Sequence, residues 1–395
     1  MLVVFLSALI AAACGVQRVH KSDELRLSAP ALDASLVAAV NSNAASTWQA
    51  SLDQNGFLSG ATLRDAQRLM GVKPRSKAAA KAAKKHMKAK APLTAAEIAA
   101  LPSNFDARTN WPNCWTITQV RSAKSIGFGQ KEYLLTLAHT HTRTHAQIRD
   151  QSACGSCWAH AFAEAASDRE CTLGANANVT LSVQQVNSCC DDCGDGCDGG
   201  QIDAPWQYWQ DTGVVSAGCE PYTLPSCDHH IANSSNPCPM MDFPTPPCAA
   251  SGKCPVRGHQ WNVYYGENPS YIDTGDVNQI KHEIVTNGPV QTAFSVYDDF
   301  LAYKSGVYKH THGSFLGGHS VKIIGFGVEN GVNYWLCANS WYETQRKERE
   351  IRLTSFFFRR NVHWGNKGFF KIAHGDCGID DEVTFGTPAS ANKRK

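Results

Sequence analysis

Hydrophobic and polar positions repeat along the chain with two different periods. Residues 156–169 (SCWAHAFAEAASDR) are rich in alanine and carry apolar side chains at helical spacing, which predicts a helix with Cys157 at its N-terminus. Residues 290–296, 319–327, 332–341 and 368–372 read as β-strands. Because the helical texture comes first and the strands follow, the pattern predicts an α+β fold with two halves.

Two segments lack such periodicity. Residues 73–92 (KPRSKAAAKAAKKHMKAKAP) form an Ala/Lys run closed by a proline, which is typical of a linker or an exposed helix and of a protease-sensitive junction. The run carries no interleaved aromatic residues for base stacking, so nucleic-acid binding is disfavoured. Residues 219–258 are rich in Pro, Cys and Ser, which predicts a long cross-linked loop.

Length, an apolar N-terminal run and the cysteine content predict a secreted or secretory-pathway protein. The chain has 395 residues, 43% of them hydrophobic, which suffices for two domains or one large one. Residues 1–15 (MLVVFLSALIAAACG) contain an apolar run of about ten residues that ends in small residues. This run predicts a secretory signal peptide, although the usual positive start is missing, and it is too short to span a membrane. The sixteen cysteines then predict a disulfide framework formed in an oxidising compartment.

The net charge of +2 conceals an asymmetry. Residues 1–101 carry 13 Lys/Arg against 6 Asp/Glu, whereas the remainder carries 24 against 29. A basic front on an acidic body suggests that the two parts attract each other; the alternative is two independently solvated surfaces.

Four residues form a candidate catalytic set. A thiolate at Cys157 would be favoured by the positive end of the predicted helix and by an imidazolium partner. Gln151, six residues upstream, could stabilise an oxyanion through its amide. His319 in GGHS and Asn339 in ANSW are the candidate base and its orienting partner. His319 alone, one of fifteen histidines, would be better explained by a structural role; the four signals together are specific.

The order Q-x5-C with GSCWA, then GHS, then NSW resembles the papain family of cysteine proteases. The similarity is closest to its cathepsin B-like members. Residues 101–117 (LPSNFDARTNWPNCWTI) resemble the start of their mature enzyme, residues 46–50 (STWQA) a stretch of their propeptide, and residues 219–238 their occluding loop.

The resemblance implies a papain-like two-domain fold, with an active-site cleft between a helical half and a β-rich half. It implies a cysteine-type peptidase with carboxydipeptidase and endopeptidase activity and no cofactor or metal. Cys157 would be the nucleophile, His319 the general base and acid, Asn339 the residue that orients the imidazole, and Gln151 the oxyanion donor.

The resemblance also implies a substrate-binding set. His229 and His230 would bind the substrate's C-terminal carboxylate, and Asp150 would form a salt bridge to the first of them. Gly199 and Gly200 would align the peptide backbone, where a side chain would block the approach. The set is Asp150, Gly199, Gly200, His229, His230, Trp341 and Glu382. Glu382 would lie at the bottom of the S2 pocket and accept arginine, or would alternatively be a solvated carboxylate.

The family's disulfide framework accounts for twelve cysteines. The implied pairs are Cys114–Cys171, Cys154–Cys197, Cys189–Cys248, Cys190–Cys193, Cys219–Cys254 and Cys227–Cys238. Cys14 falls in the signal peptide, and Cys337 and Cys377 remain as free thiols. A zinc site in CCDDCGDGC (residues 189–197) is a disfavoured alternative, because the other cysteines would then lack partners.

Together these features predict a preproenzyme. Residues 1–15 would be the signal peptide, 16–101 a propeptide containing the 73–92 linker, and 102–395 the peptidase domain, with the occluding loop at 219–254. We expect a monomer in the secretory pathway, lysosomal or secreted, whose partners are peptide and protein substrates, its own propeptide and cystatin-type inhibitors. Asn178 and Asn233 lie in glycosylation sequons, although unmodified surface asparagines are the alternative.

Two segments have no counterpart in the family: 28 residues at 120–147 and 19 residues at 342–360. Their ends can be encoded as splice sites, and removing them restores TITQ-IRDQ and NSW-NVH-WG, so we interpret both as retained introns. The alternatives are genuine insertions or tolerated loops. If the segments are translated, they enter beside Gln151 and Asn339, and the chain could be an inactive homologue that binds peptides or inhibitors.

Two further expectations concern unusual residues. The tract HTHTRTH at 139–145 could hold a metal, but coincidental low complexity is the preferred interpretation. In the occluding loop, Ser235 stands in place of a family arginine, and His363 falls at the position of its acidic partner. The loop would therefore lack one salt bridge and be looser, which predicts more endopeptidase activity.

Overall fold

The computed structural model describes residues 21–53, 58–118, 149–176, 178–225, 227, 238, 241–273, 275–341 and 364–390. The two segments without family counterparts, the signal peptide, His229, His230, Asn233, Ser235 and His363 all lie outside these described residues. The HTHTRTH tract also lies outside them.

Polar side chains cap several helices and fix where they begin. Thr62 and Thr94 each form a reciprocal capping box, and the carboxylates of Asp33 and Asp276 accept hydrogen bonds from the first backbone N–H groups of their helices. The helices are α1 Lys21–Leu27, α2 Ala34–Ser42, α3 Leu63–Gln67, α4 Lys77–Ala83, α5 Ala95–Ala99, α6 Ala107–Asn110, α7 Trp115–Thr118, α8 Cys157–Thr172, α9 Val183–Cys189, α10 Ala204–Asp211 and α11 Val277–Asn287.

Most of the strands form one mixed sheet. The strands are β1 Trp48–Ala50, β2 Lys88–Ala89, β3 Phe105–Asp106, β4 Val214–Val215, β5 Val263–Tyr264, β6 Gly266–Ile272, β7 Val290–Tyr297, β8 Tyr303–Tyr308, β9 Phe315–Glu329, β10 Val332–Ala338, β11 Phe369–Ala373 and β12 Val383–Pro388. Along the sheet the order is β1, β8, β11, β10, β9, β7, β12, β6 and β2, with β3 paired to β9. Strands β4 and β5 form a separate pair.

The molecule has two principal cores. One lies among α8, α9 and α10 and contains Trp158, Phe162 and Trp206. The other lies against the large sheet and contains Phe294 and Trp335. The helical half and the β-rich half predicted from the sequence are both present, and the α+β papain-like architecture is confirmed.

Residues 21–101, called here the N-terminal segment, pack onto the rest of the molecule. Trp48 of β1 is buried in the core of the large sheet, and β2 pairs in parallel with β6. Six basic side chains of the segment pair with acids of the body: Arg26–Asp298, Arg68–Asp242, Lys73–Asp195, Arg75–Asp203, Lys84–Asp273 with Glu382, and Lys90–Glu283. The basic front and the acidic body do attract each other, so the alternative of two independently solvated surfaces is wrong.

The local predictions hold closely. Helix α8 begins at Cys157, and β7, β9, β10 and β11 lie at the four predicted strands. The Ala/Lys run contains the short helix α4 and then β2, so it is neither a free linker nor a single exposed helix. The described residues of 219–258 contain no helix or strand.

Six disulfides join the same cysteine pairs that the family resemblance implies. All four cysteines of CCDDCGDGC are disulfide-bonded, so the zinc alternative for this stretch is wrong. Cys337 and Cys377 are free thiols. None of the helices in the described part of the chain is both long and apolar enough to cross a bilayer.

Candidate active site

Cys157 lies where the helical half meets the β-rich half. It is the first residue of α8 and is fully buried. The turn before it is held tightly: Gly155 donates its N–H to the carbonyl of Cys197 (2.8 Å), and Cys197 is bonded to Cys154. A Cβ on Gly155 would come within 2.6 Å of that same carbonyl oxygen, so a larger residue would displace the nucleophile's turn.

Strand β9 brings His319 and its neighbour to the thiol. Ser320 donates its backbone N–H to Sγ of Cys157 (3.4 Å), and Nε2–H of His319 donates to Oδ1 of Asn339 (2.7 Å). Since Nε2 is taken by Asn339, Nδ1 is the imidazole nitrogen left for the thiol. The three residues predicted to act together are therefore adjacent, although 182 positions separate Cys157 from Asn339 in sequence.

Trp341 holds this pair from the side. Its ring lies 4.7 Å from the His319 ring, centroid to centroid, and the side chain is 1% exposed. Sequence analysis placed Trp341 among the substrate-binding residues. In this structure it packs on the imidazole, so its position fits a residue that fixes His319 better than one that contacts substrate.

Gln151 is fixed from both halves. Its Nε2 donates to the carbonyls of Leu69 (3.0 Å) and Cys154 (2.9 Å), and its Oε1 accepts from the Ser340 hydroxyl (2.6 Å). Tyr222 donates its hydroxyl to the Gln151 carbonyl (2.9 Å). The amide group thus points into the cleft as an oxyanion donor must.

The N-terminal segment crosses this cleft. Gly71 donates its backbone N–H to Sγ of Cys157 (3.3 Å), and the Leu69 carbonyl occupies the position in front of the Gln151 amide. A side chain at Gly71 would overlap the carbonyl of Gly155. Residues 69–73, called here the cleft segment, therefore lie directly over the nucleophile.

Burial by the cleft segment sets the protonation state of the pair. Burial raises the pKa of Cys157 to about 11, against the backbone N–H groups of Ser320 and Gly71, which lower it. Burial likewise lowers the pKa of His319 to about 4, against its hydrogen bond to Asn339. Sequence reasoning anticipated a lowered thiol pKa. In this closed form burial instead favours the neutral thiol and the neutral imidazole.

Of the two glycines predicted to align a peptide backbone, Gly200 bonds to the cleft segment, whereas Gly199 donates its N–H to the carbonyl of Gly196 (3.1 Å). Gly200 donates its N–H to the carbonyl of Gly71 (2.8 Å) and accepts from the N–H of Lys73 (3.0 Å). A Cβ on Gly200 would meet ring carbons of Trp158 at 2.7 Å, and Gly199 has a φ of +100°. These glycines let an extended chain approach the wall closely.

Other predicted residues lie around the cleft. Glu382 is partly exposed and pairs with Lys84 of the N-terminal segment (3.5 Å). Asp150 is buried, and its Oδ1 accepts from the N–H of Ser152 (2.8 Å). Asn178 is half-buried, and its Oδ1 accepts from the N–H of Trp115 (2.9 Å), so its amide oxygen has a structural role at the start of α7.

The ends of the second extra segment lie close together. Trp341 and Trp364, which flank residues 342–363, have ring centroids 5.0 Å apart in the sheet core. Asn339 also donates its N–H to the carbonyl of Gly368 (3.0 Å). A connection of a few residues would suffice here, which is consistent with the interpretation that 342–360 is extra.

Sequence reasoning missed the residues that close the site. Leu69 and Gly71 lie in no recognisable motif. The one hint in the sequence that backbone approaches the thiol here was Gly71, a glycine just before the basic run. Ser340 stood inside the ANSW motif, yet its hydroxyl bond to Gln151 depends on a contact across the cleft that spacing does not reveal.

Comparison with known proteins identifies the family of the chain. A sequence profile described as "Papain family cysteine protease" matches residues 138–353. Cathepsin B-like cysteine proteinase 4 of Caenorhabditis elegans is 39% identical over 304 residues, which cover 73% of this chain and 76% of that protein. Cathepsin B-like cysteine proteinase 5 of the same organism is 38% identical, covering 75% and 77%.

Two solved structures are similar to the chain over most of its length. Procathepsin B S9 from Trypanosoma congolense superimposes with a TM-score of 0.69 at 30% identity, over 92% of this chain and 100% of that one. The digestive procathepsin L2 proteinase from Tenebrio molitor larval midgut shares the fold, with a TM-score of 0.56 at 22% identity, over 86% and 84%. Both are proforms. The chain belongs to the papain family of cysteine proteases, among its cathepsin B-like members.

Proposed function

We propose that this protein hydrolyses peptide bonds through a thiolate at Cys157, with His319, Asn339 and Gln151 in the roles implied by the sequence. In the open form His319 takes the proton of the Cys157 thiol, and the thiolate attacks the substrate carbonyl carbon. The Gln151 amide stabilises the oxyanion. His319 then gives its proton to the departing amine, and water releases the acyl group from Cys157 by the reverse sequence.

One observation carries this proposal. The Leu69 carbonyl accepts a hydrogen bond from Nε2 of Gln151 (3.0 Å), and the N–H of Gly71, two residues further on, donates to Sγ of Cys157 (3.3 Å). An extended backbone in the cleft is therefore presented to the oxyanion donor and the nucleophile together. Because acyl transfer needs both groups at one peptide bond, this joint contact supports the proposal.

We further propose that residues 16–101 are a propeptide that inhibits the enzyme until it is cleaved near residue 101. The burial of Cys157 by the cleft segment and the proform relatives support this proposal. Residues 102–395 would then be the peptidase domain of a monomer in the secretory pathway, lysosomal or secreted, and cystatin-type inhibitors would occupy the vacated cleft.

Release of dipeptides from C-termini is a separate proposal. It assigns carboxylate binding to His229 and His230, with Asp150 as a salt-bridge partner. The looser loop that Ser235 and His363 imply would raise the ratio of endopeptidase to carboxydipeptidase activity. A Ser235→Arg, His363→Asp variant with an equal or higher ratio than the unmodified enzyme would contradict this proposal.

The competing function is that of an inactive homologue that binds peptides or inhibitors, which applies if residues 120–147 and 342–360 are translated. Expression with and without the two segments decides between them. The peptidase proposal expects the matured short form to hydrolyse peptides and to be alkylated at Cys157 by an epoxide inhibitor. An inactive short form that leaves Cys157 unlabelled would contradict it.

A further inference from the structure

Gln291 of β7 joins the helix that carries the thiol to the strand that carries the imidazole. Its Nε2 donates to the Trp158 carbonyl (2.9 Å) and to Oγ of Ser320 (3.0 Å). Trp158 directly follows Cys157 in α8, and Ser320 directly follows His319 in β9. One amide group therefore binds the immediate neighbours of both residues to which we assign the proton transfer.

The amide of Gln291 is held in one orientation. Its Oε1 accepts from Nε1 of Trp206 in α10 (2.9 Å). Because an indole N–H only donates, this bond fixes the oxygen end of the amide and directs the NH₂ group toward α8 and β9. Ser320 donates its hydroxyl to the Thr292 carbonyl (2.9 Å), which leaves its Oγ lone pairs for the amide. The Gln291 side chain is fully buried, so bulk water does not compete for these bonds.

A second buried contact holds the other end of the same interface. Lys322 of β9 donates its Nζ to Oδ2 of Asp168 in α8 (2.7 Å), and both residues are at most 1% exposed. Asp168 lies eleven residues after Cys157, which is about 16 Å along the helix axis. The ion pair therefore anchors the far part of α8, whereas Gln291 anchors its first turn, where the thiol lies.

The bridge does not depend on the N-terminal segment. The three hydrogen bonds of Gln291 join α8, β9 and α10, all within the body of the molecule. In contrast, the bond from the Gly71 N–H to Sγ of Cys157 is lost when the segment leaves the cleft. A proton passes between a thiol and an imidazole only when the two groups are within hydrogen-bond reach. The matured enzyme must therefore maintain this distance with contacts of its own.

We propose that Gln291 is a positioning residue of the matured enzyme, which sets the distance between Cys157 and His319 by bonding Trp158 and Ser320 through one amide group. This inference rests on the proposed peptidase function. Gln291 acts through its two neighbours and not on the substrate. At about 100-fold in rate for a displacement of about 1 Å, a shift of about 0.5 Å in the first turn of α8 lowers the rate about 10-fold.

The test variant is Gln291→Met, which keeps the length of the side chain and removes its N–H donors. The indole N–H of Trp206 still has an acceptor in this variant, because it also donates to Oγ1 of Thr384 (3.1 Å). Gln185→Met is the matched control. Gln185 is also buried, and its Oε1 accepts from the N–H of Val215 in β4 (2.7 Å), so its loss costs a buried bond elsewhere in the helical half.

Two readouts are measured on each matured full chain, below its melting temperature. The first is peptide hydrolysis: Gln291→Met should lower kcat about 10-fold and change KM by less than about twofold. The second needs no turnover and is the alkylation ratio, the rate of Cys157 alkylation by iodoacetamide at pH 5 divided by the rate at pH 9. An unpaired thiol has a pKa of about 8.5 and reacts poorly at pH 5, so the ratio reports pairing of Cys157 with His319. It should fall about 10-fold in Gln291→Met and stay unchanged in Gln185→Met.

The charged side chains around Gln291 are the same in both variants. Lys322 is its cross-strand partner on β9 and pairs in turn with Asp168 and Glu164 of α8. On β12 the cross-strand partner is Thr384, which carries no charge. A change in the alkylation ratio therefore reports the distance between thiol and imidazole and not an altered charge nearby.

A third variant tests whether the bridge acts as one link. Ser320→Ala removes the acceptor on β9 and leaves the backbone N–H in place. If the bridge is one link, the double variant Gln291→Met, Ser320→Ala should be no slower than Gln291→Met alone. Two independent effects that multiply in the double variant would overturn the inference.

The alkylation ratio also separates this inference from the peptidase proposal. A ratio that falls in Gln291→Met and not in Gln185→Met supports the positioning role even if the matured chain hydrolyses no peptide, a failure that counts against the peptidase proposal alone. Equal ratios in the two variants overturn the inference. If Gln291→Met does not fold, Gln291→Asn, which withdraws the amide by one methylene, is compared with Gln185→Asn, and equal ratios again overturn it.

Discussion

Replacing Gly71 by alanine should open the closed form. The added Cβ would overlap the carbonyl of Gly155, so the cleft segment must move away from Cys157. The movement breaks three backbone contacts: the Gly71 N–H bond to Sγ (3.3 Å), the Gly200 N–H bond to Gly71 (2.8 Å) and the Lys73 N–H bond to Gly200 (3.0 Å). At about 1 kcal/mol net for each bond, the open fraction should rise about 100-fold.

The assay is the rate of epoxide labelling of Cys157 in the intact, uncleaved chain. Because burial raises the pKa of the thiol to about 11 in the closed form, labelling at neutral pH reports the open fraction. Gly331→Ala is the control: its Cβ meets no atom within 4 Å, and the strain that a φ of +78° imposes on alanine lies in the turn between β9 and β10, outside the cleft segment. Labelling of Gly71→Ala no faster than that of Gly331→Ala, with both chains folded and uncleaved, would refute the claim that this contact closes the site.

Three further predictions concern Asn339, the docking of the N-terminal segment and one disulfide. Asn339→Ala removes the acceptor of the His319 Nε2–H (2.7 Å). The variant should lower kcat/KM of the matured enzyme by about 100-fold while the melting temperature falls little. Unchanged kinetics would show that Asn339 does not orient the imidazole. In the closed form, burial lowers the pKa of His319 from 6.5 to about 4. The open form therefore binds a proton at a higher pH than the closed form does. Docking of the N-terminal segment should weaken as pH falls from about 6.5 to 4. Gel filtration of a Cys157→Ser chain nicked after Leu101 measures this, and pH-independent association would contradict it. Removing the Cys114–Cys171 bridge, which spans 57 residues, with a double alanine variant should lower the free energy of unfolding by about 4 kcal/mol in urea titrations, whereas a change below about 1 kcal/mol would show that the crosslink is dispensable.

The elements that the sequence predicted well depend on local patterns. An alanine-rich run without an internal glycine specifies α8 and its start at Cys157, and alternating apolar residues specify β7. The catalytic set was found because each member lies inside a recognisable motif. The position of Trp341 against the His319 ring could not be deduced, because the contact depends on how β10 returns beside β9.

The features that the sequence did not predict depend on long-range packing. The bond between Ser340 and Gln151 joins residues 189 positions apart, and the pair of Arg75 with Asp203 spans 128. The raised pKa of Cys157 and the lowered pKa of His319 follow from burial in a cleft that the motifs did not predict to be covered. Burial is a property of the assembled cleft, so no spacing rule along the chain contains it.

Active-site labelling of the matured protein tests the central claim most directly. The protein, with residues 120–147 and 342–360 removed, is incubated with a limiting amount of an epoxide peptidase inhibitor, and the adduct is mapped by mass spectrometry. We predict one adduct, on the peptide that contains Cys157, formed in proportion to the loss of peptide hydrolysis and absent from a His319→Ala variant. Hydrolysis that persists after full labelling of Cys157, or hydrolysis without any adduct there, would contradict the assignment of this thiol as the nucleophile.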